Sequence, residues 1–534
     1  MIAQRIMLSC ITMLLAVCSF AQTQVEQWGR FETGFNYKAS GNAFTDVNLT
    51  ATFSNGDTSI KVSGFYDGAD VFRIRFMPPA IGNWSYQTQS NIRSLNNKKG
   101  SFQCIPPNAA NHGPVKVHNM YHFSFADGKL YYPVGTTAYA WNHMGKVLQQ
   151  QTLQSLKQSG FNKIRMGVFP KNYDLVIEEP ELFPYEVKQQ STSKTDKWDH
   201  TRFNPAFFQQ LEQQIDALQQ LGIEVDLIVF HPYDKGRWGF DAMAQDANFR
   251  YIHYLTARLG SFRNIWWSVA NEWDLVKPKT HDDWVALTKE ISKSDPYKHL
   301  LSIHGSTAKY FEYWMPEITH VSIQDEAPVM HWGAASILRN AYYKPIVYDE
   351  VGYEGNLRHR WGRYSAEEMT YLMWMATIGG TYITHGETYR YKDNTDTIFW
   401  AKGGLWKGGS WKRAAFMRKI LEEGGGPLEP ADISRDWYTA TAGNGYYLLY
   451  FGKEINEYWQ FNLPTKNGQF ERAKPGDRFK AEIIDTWEMT VTPIAEEFVL
   501  GEQNDYRYYD KTMKKIKLPM KPYLAIRLTQ IKNK

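Results

Sequence analysis

Cysteine is nearly missing from this chain: the 534 residues contain three, at Cys10, Cys18 and Cys104. Two of them fall in a stretch that reads as an export signal, in which Arg5 precedes an apolar run from Ile6 to Val17 and Ser19-Phe20-Ala21 offers a small-x-small cleavage site after Ala21. Removal of that segment leaves Cys104 alone, which excludes an intrachain disulfide and argues against a Cys-ligated metal. The alternative processing is lipidation at Cys18 in Leu15-Ala16-Val17-Cys18, although Val17 fits that pattern poorly. The expected location is therefore secreted or periplasmic. No later stretch holds eighteen consecutive apolar residues, so no transmembrane helix is expected. Basic blocks are absent too: the net charge of +4 is scattered, which argues against nucleic acid as a partner. No internal repeat and no low-complexity tract appears, and the oligomeric state stays open.

What the chain has in excess is rings. Aromatic residues make up 15%, with 19 Trp and 33 Tyr, more than core packing usually demands. Flat rings with polar edges suit the apolar C–H faces of sugars; aromatic-rich β-domains could supply part of the same excess.

Periodicity divides the chain into three domains. From 25 to 117, short alternating segments (Phe44 to Phe53, Ile60 to Phe65, Val71 to Phe76, Trp84 to Thr88) predict an N-terminal β-sandwich, with Asn108 to Pro114 as a linker. From 125 to 425, apolar strand-like runs alternate with helical segments, the mark of parallel β/α units. The expected strands are Tyr131 to Thr136, Lys163 to Val168, Glu224 to Phe230, Ile265 to Ala270, Leu300 to His304, His320 to Gln324, Pro345 to Tyr348 and Thr381 to Thr384. The clearest helix, Pro205 to Leu221, repeats Phe207, Leu211, Ile215 and Leu218 at helical spacing before Gly222. Eight consecutive units predict an α/β fold of the (β/α)8 TIM-barrel type. From 430 to 531, strand signals at Tyr446 to Phe451, Trp459 to Leu463, Ala481 to Asp485 and Tyr523 to Leu528 predict a C-terminal β-sandwich.

A barrel of this kind places its site where the strands end. The strand ends here are Arg165 and Gly167, His231, Asn271-Glu272, Gln324-Asp325-Glu326, Asp349-Glu350 and His385-Gly386-Glu387. Two carboxylates facing across a cleft can cleave a glycosidic bond without any cofactor or metal, one donating a proton and the other attacking carbon or activating water. Glu272 and Glu350 are the expected pair. Trp266, Trp267 and Trp273 flank Glu272 in sequence, a setting that would keep one carboxyl protonated. Asn271, Arg165, His231, Trp141, Gln324, His385 and Glu387 are the candidate sugar-binding residues. A metal-assisted hydrolase using His231, His304 and His385 is the competing chemistry, and a carbohydrate-binding protein without activity the competing class.

The segments IWWSVA followed by Asn271-Glu272, and KPIVYDEVG carrying Glu350, resemble the clan of retaining glycoside hydrolases with glutamates on strands four and seven, typified by glycoside hydrolase family 5. YYPVGTTAYAW, ending at Trp141, and NIWWSVANEWD are similar to apiosidase-like barrel domains, whose common companions are flanking sandwiches. The resemblance implies Glu272 as acid/base, Glu350 as nucleophile, and site positions for Arg165 and His231. Many members carry His-x-Tyr on strand six and Trp on strand eight. Ser322-Ile323-Gln324 and His385-Gly386-Glu387 depart from that pattern, so the sugar and linkage cannot be carried over.

Overall fold

A computed structural model describes residues 23–173, 175–188, 197–391, 396–431, 438–443, 445–464, 473–504 and 507–532. The expected signal segment and Cys18 lie outside these residues.

The centre of the molecule is a parallel barrel. Its strands are β1 (Val134–Thr137), β2 (Lys163–Gly167), β3 (Glu224–Phe230), β4 (Ile265–Ala270), β5 (Leu301–Ser302), β6 (Val321–Gln324), β7 (Ile346–Glu350) and β8 (Tyr382–His385). Their hydrogen-bonded order runs β5-β4-β3-β2-β1-β8-β7-β6. A parallel bridge between His304 and Ser322 joins its two ends. Buried on both faces, the strands read as continuous apolar runs rather than alternating ones. The helix Pro205–Gln220 forms as its sequence dictates: the Asn204 side chain caps the Ala206 N–H, proline occupies the first turn, and Gly222 at φ +71° ends the helical segment. It buries Phe207, Leu211, Ile215 and Leu218 against the barrel.

The first barrel strand is shorter than its apolar run. Pro133 has no N–H to give a ladder, and the run splits there. Leu130–Tyr131 instead pairs with His122–Phe125, which pairs with Val115–His118. This small sheet packs Val115, Phe123 and Tyr131 against Trp266, Leu300, Val347 and Tyr382, closing the barrel's N-terminal end. Val115 to Val117, expected at the end of the sandwich, therefore belongs to the barrel.

The N-terminal domain is a five-stranded sheet over a three-stranded one. Phe31, Phe53, Phe76, Trp84 and Phe102 fill the space between them, with Cys104 free and buried at its edge. It meets the barrel through buried charges: Arg258 bonds Asp67 at 2.7 Å and Glu212 at 2.6 Å, and Arg75 reaches Glu212 at 2.8 Å. The C-terminal domain is built on a nine-stranded sheet. Alternate residues of its strand Tyr446–Tyr450 face opposite ways, Tyr447 and Leu449 into the domain's own core and Tyr446, Leu448 and Tyr450 into the barrel's.

Candidate active site

The floor of the barrel mouth is a set of paired buried charges. Lys163 on β2 would be costly in an apolar interior, and it is met by Asp226 of β3 at 2.8 Å and Asp349 of β7 at 2.7 Å. Arg165, two residues on and so facing the same way, lies 3.4 Å from Asp226 and 3.8 Å from Asp349. Ser322 at 2.5 Å and Thr384 at 2.7 Å donate hydroxyls to the same Asp349 carboxylate. Burial would raise the Asp349 carboxyl's pKa, but Lys163 and Arg165 hold it well below the usual range. The network fixes the end of β7, whose next residue is Glu350.

Glu350 is held through one oxygen. Tyr139, just past β1, donates its hydroxyl to Oε1; Arg165 Nη1 stands 3.7 Å and His304 Nε2 3.6 Å from the same oxygen. Glu272 sits differently. It follows β4 at φ 49° and ψ 56°, a left-handed conformation that non-glycine residues adopt at some cost and that recurs at functional sites. One carboxyl oxygen, Oε2, is buried without a hydrogen-bond partner among the described residues. Burial, reinforced by the Glu350 charge and opposed by Lys171, pushes its pKa up to about 8. The pair is thus asymmetric: one carboxyl is held by donors and the other keeps its proton at neutrality.

Three further expected residues join this constellation. Asn271 accepts a 3.1 Å hydrogen bond from Arg165 through Oδ1 and leaves its buried Nδ2 group without a partner among the described residues, so two N–H donors remain for a ligand. Gln324 meets His304 Nε2 at 3.2 Å and faces the Glu272 carboxyl. Arg165 is fully buried and acts on Asn271 and Glu350 rather than on solvent.

Others do not. Trp141, expected against the sugar, is buried in the barrel core with Nε1–H directed at the Met166 sulfur, 3.3 Å away. His231 uses both ring nitrogens on backbone, the Phe169 carbonyl at 3.0 Å and the Tyr233 N–H at 3.1 Å, and burial pushes its pKa down to about 3. His385 lies between Thr136 and Ser410 at 3.2 and 3.0 Å, stacked on Phe161. The Glu387 carboxylate accepts the N–H groups of Lys407 and Gly408 and so holds that loop. Of the three tryptophans expected around Glu272, Trp266 bonds Glu224 at the barrel's other end and Trp267 bonds Asp295. His231, His304 and His385 share no site, and among the described residues no group of three His, Cys, Asp or Glu side chains could hold a metal ion.

Two residues at the mouth escaped the sequence reading. Tyr139 lies just beyond the end of β1, where the strand-end rule could have reached it. Lys171, in the loop after β2, is a lone lysine among aromatic residues (Phe169, Tyr173), a pattern consistent with a buried cation.

The apiosidase-like catalytic domain family matches residues 118–417, and two families of domains of unknown function match residues 24–91 and 436–529. A solved structure from Bacteroides vulgatus ATCC 8482, provisionally assigned as a glycoside hydrolase, is 54% identical, covers 96% of this chain and 100% of its own, and superposes with a TM-score of 0.93. A glycoside hydrolase family 5 structure from the same organism shares the fold at 13% identity and a TM-score of 0.57, over 78% of this chain and 93% of its own. No curated protein matches the chain. With a match over more than half its length and the carboxylate pair at the mouth of the barrel, the chain belongs to the apiosidase-like family and carries a glycosidase-type catalytic TIM barrel between two β-domains.

Proposed function

We propose that the protein hydrolyses O-glycosidic bonds of an oligo- or polysaccharide with retention of anomeric configuration, and that it does so outside the cytoplasm after export by its N-terminal segment. The observation that carries this reading is the asymmetry of the two glutamates. Glu272, its pKa pushed up to about 8 by burial and by Glu350, holds the proton that a departing glycosidic oxygen needs. The Glu350 carboxylate, aligned by Tyr139 and Arg165, attacks the anomeric carbon as the C–O bond breaks. A glycosyl ester forms on Glu350 and the leaving group takes the Glu272 proton. Glu272, now a carboxylate, removes a proton from water, which attacks the same carbon and releases Glu350. The Asn271 amide, whose Nδ2 has no partner among the described residues, holds the hydroxyl beside the anomeric centre.

Product analysis tests the scheme. Glu350→Ala should lose turnover, and azide should restore it as a glycosyl azide of inverted configuration. Glu272→Ala should still cleave aryl glycosides whose leaving group needs no proton, with azide accelerating the second step under retention. Inverted sugar released by the wild type, or an exchange of behaviour between the two variants, overturns the assignment.

A further inference from the structure

Lys171 has no task in that scheme, and its surroundings are unusual for a lysine. It is only 4% exposed. Its contacts among the described residues are faces of rings: Nζ stands 3.9 Å from the centroid of Tyr139, 4.2 Å from Tyr233, 5.3 Å from Tyr173 and 5.8 Å from Trp400. No hydrogen bond or ion pair joins its ammonium to any described residue. An ammonium has three N–H donors, and taking it out of water costs several kcal/mol. Cation–π contacts return about 2 kcal/mol when desolvated, and leave the three donors to water or to a ligand.

A lysine kept only to neutralise Glu350 would form an ion pair with it. Glu350 is served instead by Tyr139, Arg165 and His304. The Tyr139 ring touches both groups, its hydroxyl on Glu350 and its face under the ammonium. Glu350 attacks the anomeric carbon in the scheme above, and an ammonium that shares the Tyr139 ring with it would adjoin the sugar carrying that carbon. A neutral sugar hydroxyl would satisfy one donor and leave the charge bare, whereas an oxyanion would satisfy donors and charge together.

We infer that Lys171 receives an oxyanion carried by the glycone, so that the site selects acidic sugars: the carboxylate of a uronic acid or the sulfate ester of a hexose. This rests on the glycosidase reading above. Burial pulls the amine's pKa down to about 7, with Glu350 and Glu272 opposing the fall, so binding of an anion near neutrality should draw a proton onto it.

The test uses the full-length protein with matched 4-nitrophenyl glycosides of glucose, galactose and mannose, each as the neutral sugar, the uronide and the 6-sulfate. One anionic series should exceed its neutral parent in kcat/KM by tenfold or more, and which one identifies the oxyanion. Lys171→Met should erase that preference by raising KM, and Lys171→Arg should restore part of it. A wild type that prefers neutral glycosides overturns the inference. So does a Lys171→Met variant that loses kcat equally on neutral and anionic members, because Lys171 would then serve Glu350. Ligand-detected NMR with glucuronate, galacturonate and glucose 6-sulfate separates this claim from the glycosidase reading. Lys171-dependent binding without turnover of any glycoside sinks the reaction and keeps the anion site; absence of binding by every anion, with neutral glycosides still cleaved, does the reverse.

Discussion

Glu272 holds its proton at a pH where an exposed glutamate has lost it, and this has a thermodynamic signature as well as a kinetic one. The folded carboxyl titrates near 8 and the unfolded one near 4.5. Its protonated form is therefore favoured by folding: the contribution is fully present below pH 4.5 and is lost as pH rises towards 8, because the unfolded chain releases the proton first. Urea denaturation of Glu272→Gln should show a stability gain over the wild type that grows from pH 5 to pH 8, reaching on the order of a few kcal/mol. The kcat/KM profile of the wild type should fall on the alkaline side near pH 8. An offset between the two proteins that stays constant with pH would refute the burial argument. Lys163 tests the opposite case, a buried charge that is paired. Lys163→Met leaves Asp226 and Asp349 with less compensation and should cost about 3 to 5 kcal/mol, read as a lower denaturation midpoint. At this scale the structure brings Glu272, Glu350, Asn271, Arg165 and Gln324 together, and these residues are legible in the sequence because all sit at or near strand ends. Trp141, His231, His385 and Glu387 are turned to other partners, because proximity to a strand end says nothing of the direction in which a side chain points. His385 turns outwards to Ser410, and His231 spends itself on backbone.

Between residue and domain, the barrel strands set the geometry of the pair, and the loop leaving β7 depends on one glycine. Gly352 has φ +97°, and a Cβ there would stand 2.5 Å from the Tyr364 ring. The loop it starts returns to pair Tyr353 with Trp361 and Tyr364 through backbone hydrogen bonds. Gly352→Ala should therefore lower stability by about 1 to 3 kcal/mol and reduce kcat by shifting Glu350, two residues earlier. A variant with the wild-type melting temperature and kcat would show that the loop adapts without moving the strand. The strands themselves were largely legible: β3 and β4 end where their apolar runs end, because both faces are buried. The errors have local causes. Pro133 splits the first run, and the segment expected to be extended from Phe44 begins its strand only at Leu49, after a turn in which Asn42 accepts backbone N–H groups from Thr45 and Asp46. Strand β5 shrinks to Leu301–Ser302, with His304 attached only by a bridge.

At the scale of the whole molecule the two flanking domains join the barrel by different physics. The N-terminal junction is made of paired charges, Arg75, Glu212, Arg258 and Asp67, around which Phe65 lies under both guanidinium groups. The C-terminal junction is apolar. Helix Ala366–Ile378 is buried continuously from Met369 to Ile378, with no polar face to offer water. One side of it covers β8, and the other packs on the C-terminal sheet, Trp374 lying 5.7 Å and Tyr371 6.3 Å from the Tyr450 ring. Removing everything after residue 430 would bare Trp374, Ile420 and Leu421 together with their neighbours, an apolar patch of the kind that soluble monomers rarely expose. A chain ending there should aggregate on expression. The intact protein should melt in calorimetry as a unit in which barrel and C-terminal domain unfold together, because a core that spans both cannot open on one side alone. Tyr450→Ala and Leu448→Ala, each removing a buried side chain from the shared core, should lower that common transition by about 2 to 5 kcal/mol without producing a second one. Two resolved transitions in the wild type, or a soluble and folded truncated barrel, would show that the C-terminal sheet is an appendage rather than a wall of the barrel.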